Sequence, residues 1–222
     1  ARRDLADVAL ERRDDAWAPR DAALRDGGVP EARSLDFHTP YGCSKGAAEQ
    51  YVLDYARSFG VPGAVMRMSC IYGPHQMGTE DQGWVAHFLI RALRGEAISI
   101  FGDGCQVRDI LHVEDAVAAW IAAWRRIDAV SGTAFNLGGG PGNAVSLRQV
   151  LREIEAIAGR RIDLHFDEWR AGDQRWYVSD TRRAVAQLGL RAPRPWRDGL
   201  RDLAAWLDAA RGLRAEPALA AS

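Results

Sequence analysis

The sequence predicts an α/β fold with a largely parallel sheet. Three observations carry that expectation. Short apolar runs of strand length alternate with amphipathic stretches of helix length across residues 64–166, the pattern of strand–helix–strand units. An apolar content of 47% beside 27% charged residues fits a chain of 222 residues that buries a sizeable core. No apolar run reaches the roughly 18 residues a membrane span requires.

Residues 1–37 are rich in Arg, Asp and Ala, with Gly27, Gly28 and Pro30 as punctuation, and read as loop with at most one exposed helical turn. Residues 44–59 form a helix, because Ala47, Ala48, Tyr51, Val52, Tyr55 and Phe59 recur at helical spacing before the stop at Gly60. A strand follows at 64–69, then a loop at 70–82 that carries Gly73-Pro74. Residues 84–94 read as a helix ended by Gly95, and 98–101 as a strand closed by Gly102-Asp103-Gly104. The alternation continues with strand 107–112, helix 114–125, strand 133–137, helix 146–158 and strand 161–166. Two helices, at about 180–188 and 197–210, precede an Ala-rich tail.

The run Gly138-Gly139-Gly140-Pro141-Gly142 lies between a strand and a helix, where a dinucleotide cradle would sit. Asn143 replaces a third glycine and Pro141 removes an amide, so it is expected to be a structural turn, with Ser146 capping the next helix. No G-x-G-x-x-G occurs in the first 60 residues.

Composition narrows the partners. A net charge of −1 excludes a nucleic-acid or anionic-membrane partner read through bulk charge. The odd, scattered set Cys43, Cys70 and Cys105 has neither disulfide nor metal spacing and fits a reducing compartment. With a charged N-terminus and no leader pattern, the chain is expected to be cytoplasmic. No histidine or carboxylate cluster has ligand spacing, so no catalytic metal is expected.

Among 29 Lys and Arg residues, Lys45 is the only lysine. It stands four after Tyr41, at a helix entrance, which places both side chains on one face. With five tyrosines in 222 residues, chance would put a single lysine at that offset about 2% of the time. A cation beside a phenol favours the phenolate, and such a tyrosine can take a hydroxyl proton as hydride leaves the same carbon. Arg108 follows a tight turn at a strand entrance, and Arg170 opens R-A-G-D at 170–173. Two guanidinium forks from separate segments could clamp a diphosphate. His38, three before Tyr41, is within reach of the same pocket, whereas His112, in an apolar strand, reads as a packing residue. Trp84, Trp169 and Trp176 flank these segments, and core packing is the expected role of each.

These segments together resemble the extended short-chain dehydrogenase/reductase superfamily, in particular its NAD-dependent nucleotide-sugar epimerases and dehydratases. The matching stretches are Tyr41 to Lys45, R-M-S-C-I-Y-G-P at 67–74, F-G-D-G-C-Q-V-R-D at 101–109, H-V-E-D-A-V at 112–117, F-N-L-G-G-G at 135–140 and R-A-G-D at 170–173. Within it, S-C-I-Y-G-P followed by Q-M-G-T-E-D-Q-G-W-V looks most like the tyvelose-epimerase branch.

The resemblance implies the C-terminal part of a Rossmann-type domain in residues 1–75. A smaller substrate-binding lobe would occupy 76–222, with about 107–140 returning to the Rossmann sheet. It implies NAD as cofactor, a nucleotide-diphosphate sugar as substrate, and a homodimer formed through helix 44–59. Tyr41 would be the acid/base, Lys45 its partner and ribose ligand, and Ser69 would lie against the nicotinamide. Cys70 would lie beside the sugar, and Trp84, Ile100, Arg108, Arg170 and Asp173 would hold the nucleotide. In that family hydride passes from a sugar carbon, C2 in the tyvelose branch, to NAD+ and back to the opposite face. A 4-epimerase, a 4,6-dehydratase or a non-catalytic sugar-nucleotide-binding remnant are the alternatives. The family's glycine-rich loop and catalytic Ser/Thr would precede residue 1, leaving the chain about a hundred residues short. Cys105 stands where the family commonly has Lys or Arg.

Overall fold

The computed structural model describes residues 5, 7–170 and 172–212. The Ala-rich tail and Ala171 of R-A-G-D lie outside the described residues. The chain opens on a hairpin, β1 (Leu10–Arg13) antiparallel to β2 (Ala16–Pro19), where a loop was expected. Asp14 takes the left-handed turn conformation at φ 51°, which Asp tolerates better than most residues. The hairpin is tied to distant chain through Trp17, whose N–H donates to the Cys105 carbonyl at 2.9 Å and whose indole donates to Asp103 at 2.9 Å. The expected helical turn is α1 (Ala22–Gly27), capped by Asp21.

Helix α2 (Pro40–Phe59) starts four residues before the expected position, because Thr39 accepts from the Gly42 N–H and Pro40 fits the first turn. Gly60, at φ 64°, ends it as expected. Strand β3 (Val65–Met68) runs on through Ser69 into β4 (Cys70–Tyr72), so the start of the expected loop is strand. Next come α3 (Trp84–Arg94), β5 (Ile98–Phe101), β6 (Val107–His112), α4 (Val113–Arg125), the short α5 (Ile127–Val130) and β7 (Ala134–Leu137). A 3-10 turn at Pro141–Asn143 leads into β8 (Ala144–Ser146) and α6 (Leu147–Ala158). Strands β9 (Leu164–Asp167) and β10 (Trp176–Tyr177) precede α7 (Arg182–Leu188) and α8 (Trp196–Arg211). Among the described residues no helix is long and apolar enough to cross a membrane.

The pairing is largely parallel, as expected: β3 with β7, β4 with β6, β10 with β6 and β5 with β9, while β8 runs antiparallel to β6. The chain changes partner at Ser69. Its N–H donates to the Leu137 carbonyl at 2.8 Å, the last bond toward β7, and Cys70 already lies in register with Ile110 of β6. Strand β6 is the hub, because successive side chains point to opposite faces. Ile110 joins the core built from α3, β5, α6 and α8, whereas Leu111 joins the core between β7, α4 and α7.

The glycine run is the expected structural turn. A Cβ on Gly138 would stand 2.0 Å from Asp109 Oδ2, and one on Gly139 would stand 2.1 Å from the Ile110 carbonyl oxygen. These glycines admit close packing of the chain on itself. Ser146 caps α6 in a reciprocal capping box with Gln149, again as expected. We expect Gly138→Ala to lower the unfolding free energy by at least about 2 kcal/mol through overpacking, measured by chemical denaturation. Gly142→Ala, whose Cβ meets nothing within 4 Å, should change it little.

Candidate active site

Helix α2 presents Tyr41 and Lys45 on one face, with Lys45 Nζ 5.4 Å from the centroid of the Tyr41 ring. The helix has little apolar cover: Gly46 and Glu49 are its buried residues. Gly46 lets the Phe37 ring lie against the helix, at 2.0 Å from where a Cβ would stand. Glu49 receives two hydrogen bonds from Arg67 of β3, one of them from Nε at 2.8 Å. Those two contacts fix where Tyr41 and Lys45 stand relative to β3.

The cleft beside α2 is walled by His38, Tyr41, Lys45, Met68, Ser69 and Tyr177. A second cavity, under the start of α3, is walled by Trp84, Phe88, Ser99, Phe101 and Arg170. Cys70, Arg108 and Asp173 line both, so the two cavities adjoin along one elongated face. Tyr41, Lys45 and Ser69 stand at one end, and Trp84 and Arg170 at the other.

Ser69 sits where β3 gives way to β4, and its hydroxyl donates to Asp109 Oδ1 at 2.6 Å. The same carboxyl accepts from the Gly140 N–H at 3.1 Å. Asp109 is fully buried, and burial raises its pKa above the usual carboxylate range. The Ser69 hydroxyl is thus turned inward and its position is set by a rigid network. Cys70 accepts from the Trp84 indole at 3.4 Å, and burial pushes its thiol up. A thiol so placed packs as a small neutral group.

Arg108 and Arg170 line the cavity under α3 from different segments of the chain. Arg108 projects from β6, its Nη1 donating to the Val107 carbonyl at 2.8 Å. Arg170 stacks its guanidinium 3.8 Å from the centroid of the Phe101 ring and lies 3.7 Å from Asp81. Trp84 opens α3 and packs edge-on against Phe88, with centroids 5.5 Å apart.

Ile100 requires a correction. Its side chain is 1% exposed in the core, while its neighbours Ser99 and Phe101 line the cavity. The pleat of β5 turns Ile98 and Ile100 inward and the alternate positions toward the cleft. Ser99 and Phe101 were therefore missed, although the alternation of residues 98–101 held the signal. Cys105 is fully buried and does not line either cavity.

His38 lines the Tyr41 end of the cleft and pairs with Asp36. His112 is a satisfied core residue, as expected. It caps α4 by accepting from the Glu114 N–H at 3.3 Å, faces Asp202 at 3.1 Å, and has its pKa lowered first by burial. Trp176 is 3% exposed in the core, and Trp169 lies against Gly102. Among the described residues no group of three His, Cys, Asp or Glu is arranged to hold a metal.

The residues present suit one end of a dinucleotide. Tyr41 and Lys45 offer polar contacts for a ribose in the cleft that Ser69 also lines, while the glycine run is packed against its own chain.

Comparison with known proteins agrees with this geometry. Residues 18–138 match the model of the NAD dependent epimerase/dehydratase family. The chain is 39% identical over 186 residues to CDP-paratose 2-epimerase of Salmonella typhi, covering 81% of this chain and 54% of that protein. Among solved structures, UDP-glucose 4-epimerase of Thermotoga maritima with UDP-glucose superposes with a TM-score of 0.76 at 30% identity, covering 82% of this chain and 58% of that one. UDP-glucuronic acid 4-epimerase of Bacillus cereus, in complex with UDP-glucuronic acid and NAD, gives 0.75 at 26% identity, covering 83% and 57%. The chain spans about half the length of the curated relatives it matches. Its fold, its matched residues and its sequence identity make the chain a member of the NAD dependent epimerase/dehydratase family.

Proposed function

We propose that the chain carries the proton-transfer pair and the nucleotide-sugar site of an NAD-dependent epimerase acting on a nucleotide-diphosphate sugar, of the CDP-paratose 2-epimerase kind. The observation that carries this reading is that the cleft of Tyr41 and Lys45 adjoins the cavity of Arg170, with Cys70, Arg108 and Asp173 lining both.

The chemistry follows from the placement. The nucleotide lies under α3, with its base among Trp84, Ser99 and Phe101, whose rings and small polar edge suit a planar heterocycle. Arg108 and Arg170 take the diphosphate by paired N–H donation, Arg170 exchanging its contact with Asp81 for the ligand. The sugar then reaches past Cys70 and Asp173 toward Tyr41. Tyr41, as phenolate beside the Lys45 ammonium, takes the proton from the sugar hydroxyl and returns it when the carbonyl is reduced again. Lys45 stabilises the phenolate and donates to a ribose. When bound, NAD supplies the reversible hydride acceptor, with Ser69 against its nicotinamide. The sugar must present its opposite face between the two transfers for the configuration to invert.

The domain division belongs to the same reading. Residues 1–75 with about 107–140 form the cofactor side, and the rest of 76–222 mainly the nucleotide-sugar side. The exposed Tyr51, Tyr55 and Phe59 on α2 support a homodimer through that helix, and the free cysteines fit a cytoplasmic location.

In the enzyme carrying the preceding segment, Lys45→Met and Tyr41→Phe should each lower kcat by about a thousandfold, with nucleotide-sugar affinity nearly intact. Arg108→Ala should raise KM about tenfold with a smaller change in kcat. Near-normal turnover in Lys45→Met would contradict the assignment.

A further inference from the structure

Lys45 and Glu49 stand four apart on α2, the spacing at which opposite charges on a helix pair. They do not pair. Among the described residues Lys45 makes no ion pair, and its ammonium lies over the Tyr41 ring. Glu49 is held instead from the sheet: Arg67 donates from Nε to Oε2 at 2.8 Å and from Nη2 to Oε1, and its Nη1 donates to the Glu31 carbonyl at 3.1 Å. Both carboxylate oxygens are thus engaged by one fork, with the Glu49 and Arg67 side chains 4% and 12% exposed. Without that fork, Glu49 would be a buried, uncompensated carboxylate, and Lys45 is the one cation within a turn of it on its own helix.

We propose that Arg67 is a positioning residue that keeps Glu49 from capturing Lys45, so that the chain's only lysine ammonium stays available to the Tyr41 phenol. The inference rests on the reading of Tyr41 and Lys45 as the proton-transfer pair. Lys45 lines both the cleft beside α2 and a neighbouring one between α2 and β3, and the titratable groups that line them with it are Tyr41 and Glu49 on α2, His38 before it, Arg67 on β3, and Cys70, Arg108, Asp173 and Tyr177 across the cleft. Substitutions at Arg67 and Glu49 leave all the others unchanged, so a change in Lys45 titration reports this pair.

Because Lys45 is the only lysine, selective carbon-13 labelling of lysine gives a single resonance whose ionisation midpoint is read directly by NMR on the 222-residue chain. An adjacent carboxylate raises that midpoint. Arg67→Gln should raise it by at least about half a pH unit, and the double variant Arg67→Gln with Glu49→Gln should return it to the original value or below. Glu49→Gln alone leaves no carboxylate to capture the ammonium and keeps the test alive should Arg67→Gln not fold. Its midpoint must not exceed the original, and a rise overturns the proposal. An unmoved midpoint in folded Arg67→Gln overturns it, as does a raised midpoint that persists in the double variant.

In the enzyme carrying the preceding segment, Arg67→Gln should lower kcat about tenfold, with recovery in the double variant. A purely structural role predicts further loss there. A midpoint shift without loss of kcat would uphold the role of Arg67 and contradict the Tyr41–Lys45 assignment. Loss of kcat without a midpoint shift would overturn the role of Arg67.

Discussion

The helix that carries Tyr41 and Lys45 is held to the sheet by a buried ion pair between Glu49 and Arg67, and the geometry of the cleft depends on it. Beyond the Phe37 ring against Gly46, apolar burial does little to fix α2, because Tyr51, Val52, Tyr55 and Phe59 are exposed. An apolar seam can slide, but a two-bonded fork between fixed backbones permits one rotation of the helix. Removing one partner of such a pair costs about 3–5 kcal/mol, because the other charge remains buried. Arg67 also reaches the Glu31 carbonyl, and the Asn136 N–H of β7 donates to the Glu31 side chain at 2.9 Å. One network therefore registers α2, β3 and β7 against each other.

A second constraint connects that unit to the nucleotide end. The chain leaves β7 for β6 at Ser69, and buried Asp109 fastens the crossing point to the Gly138–Gly140 turn. Arg108 is the residue before Asp109, so the group proposed to hold the diphosphate and the group that fixes Ser69 are neighbours on one strand with opposite facings. The spacing between Ser69 and Arg108 is thereby set by the pleat of β6.

Features set by near neighbours in sequence were legible. Helix α3, the Gly60 and Gly95 stops and the Ser146 cap depend on residues within a turn or two of one another. Lys45 stood out because arginine occupies every other basic position. Features that depend on distant partners were not legible. The β1–β2 hairpin has a polar, charged sequence and is secured by Trp17 reaching Asp103, 86 residues away. Strand β4 was hidden by the Gly73-Pro74 signal just after it, and β8 by the glycine turn before it. Ile100 was misplaced because family resemblance located the segment without its pleat, and the burial of Ile98 and Ile100 settles which positions face the cleft. The Glu49–Arg67 pair spans 18 residues and two elements, and nothing local marks either residue among so many charges.

The roles proposed for Tyr41 and Lys45 imply that the migrating hydrogen never reaches solvent, because a bound acceptor takes it from the sugar and returns it. The most direct measurement follows CDP-paratose deuterated at C2 through turnover by the enzyme carrying the preceding segment, with products read by mass spectrometry and NMR. Deuterium should remain at C2 of the inverted sugar, with no incorporation of solvent hydrogen. Loss of the label to water at that carbon would contradict transient oxidation and point to proton abstraction from carbon instead.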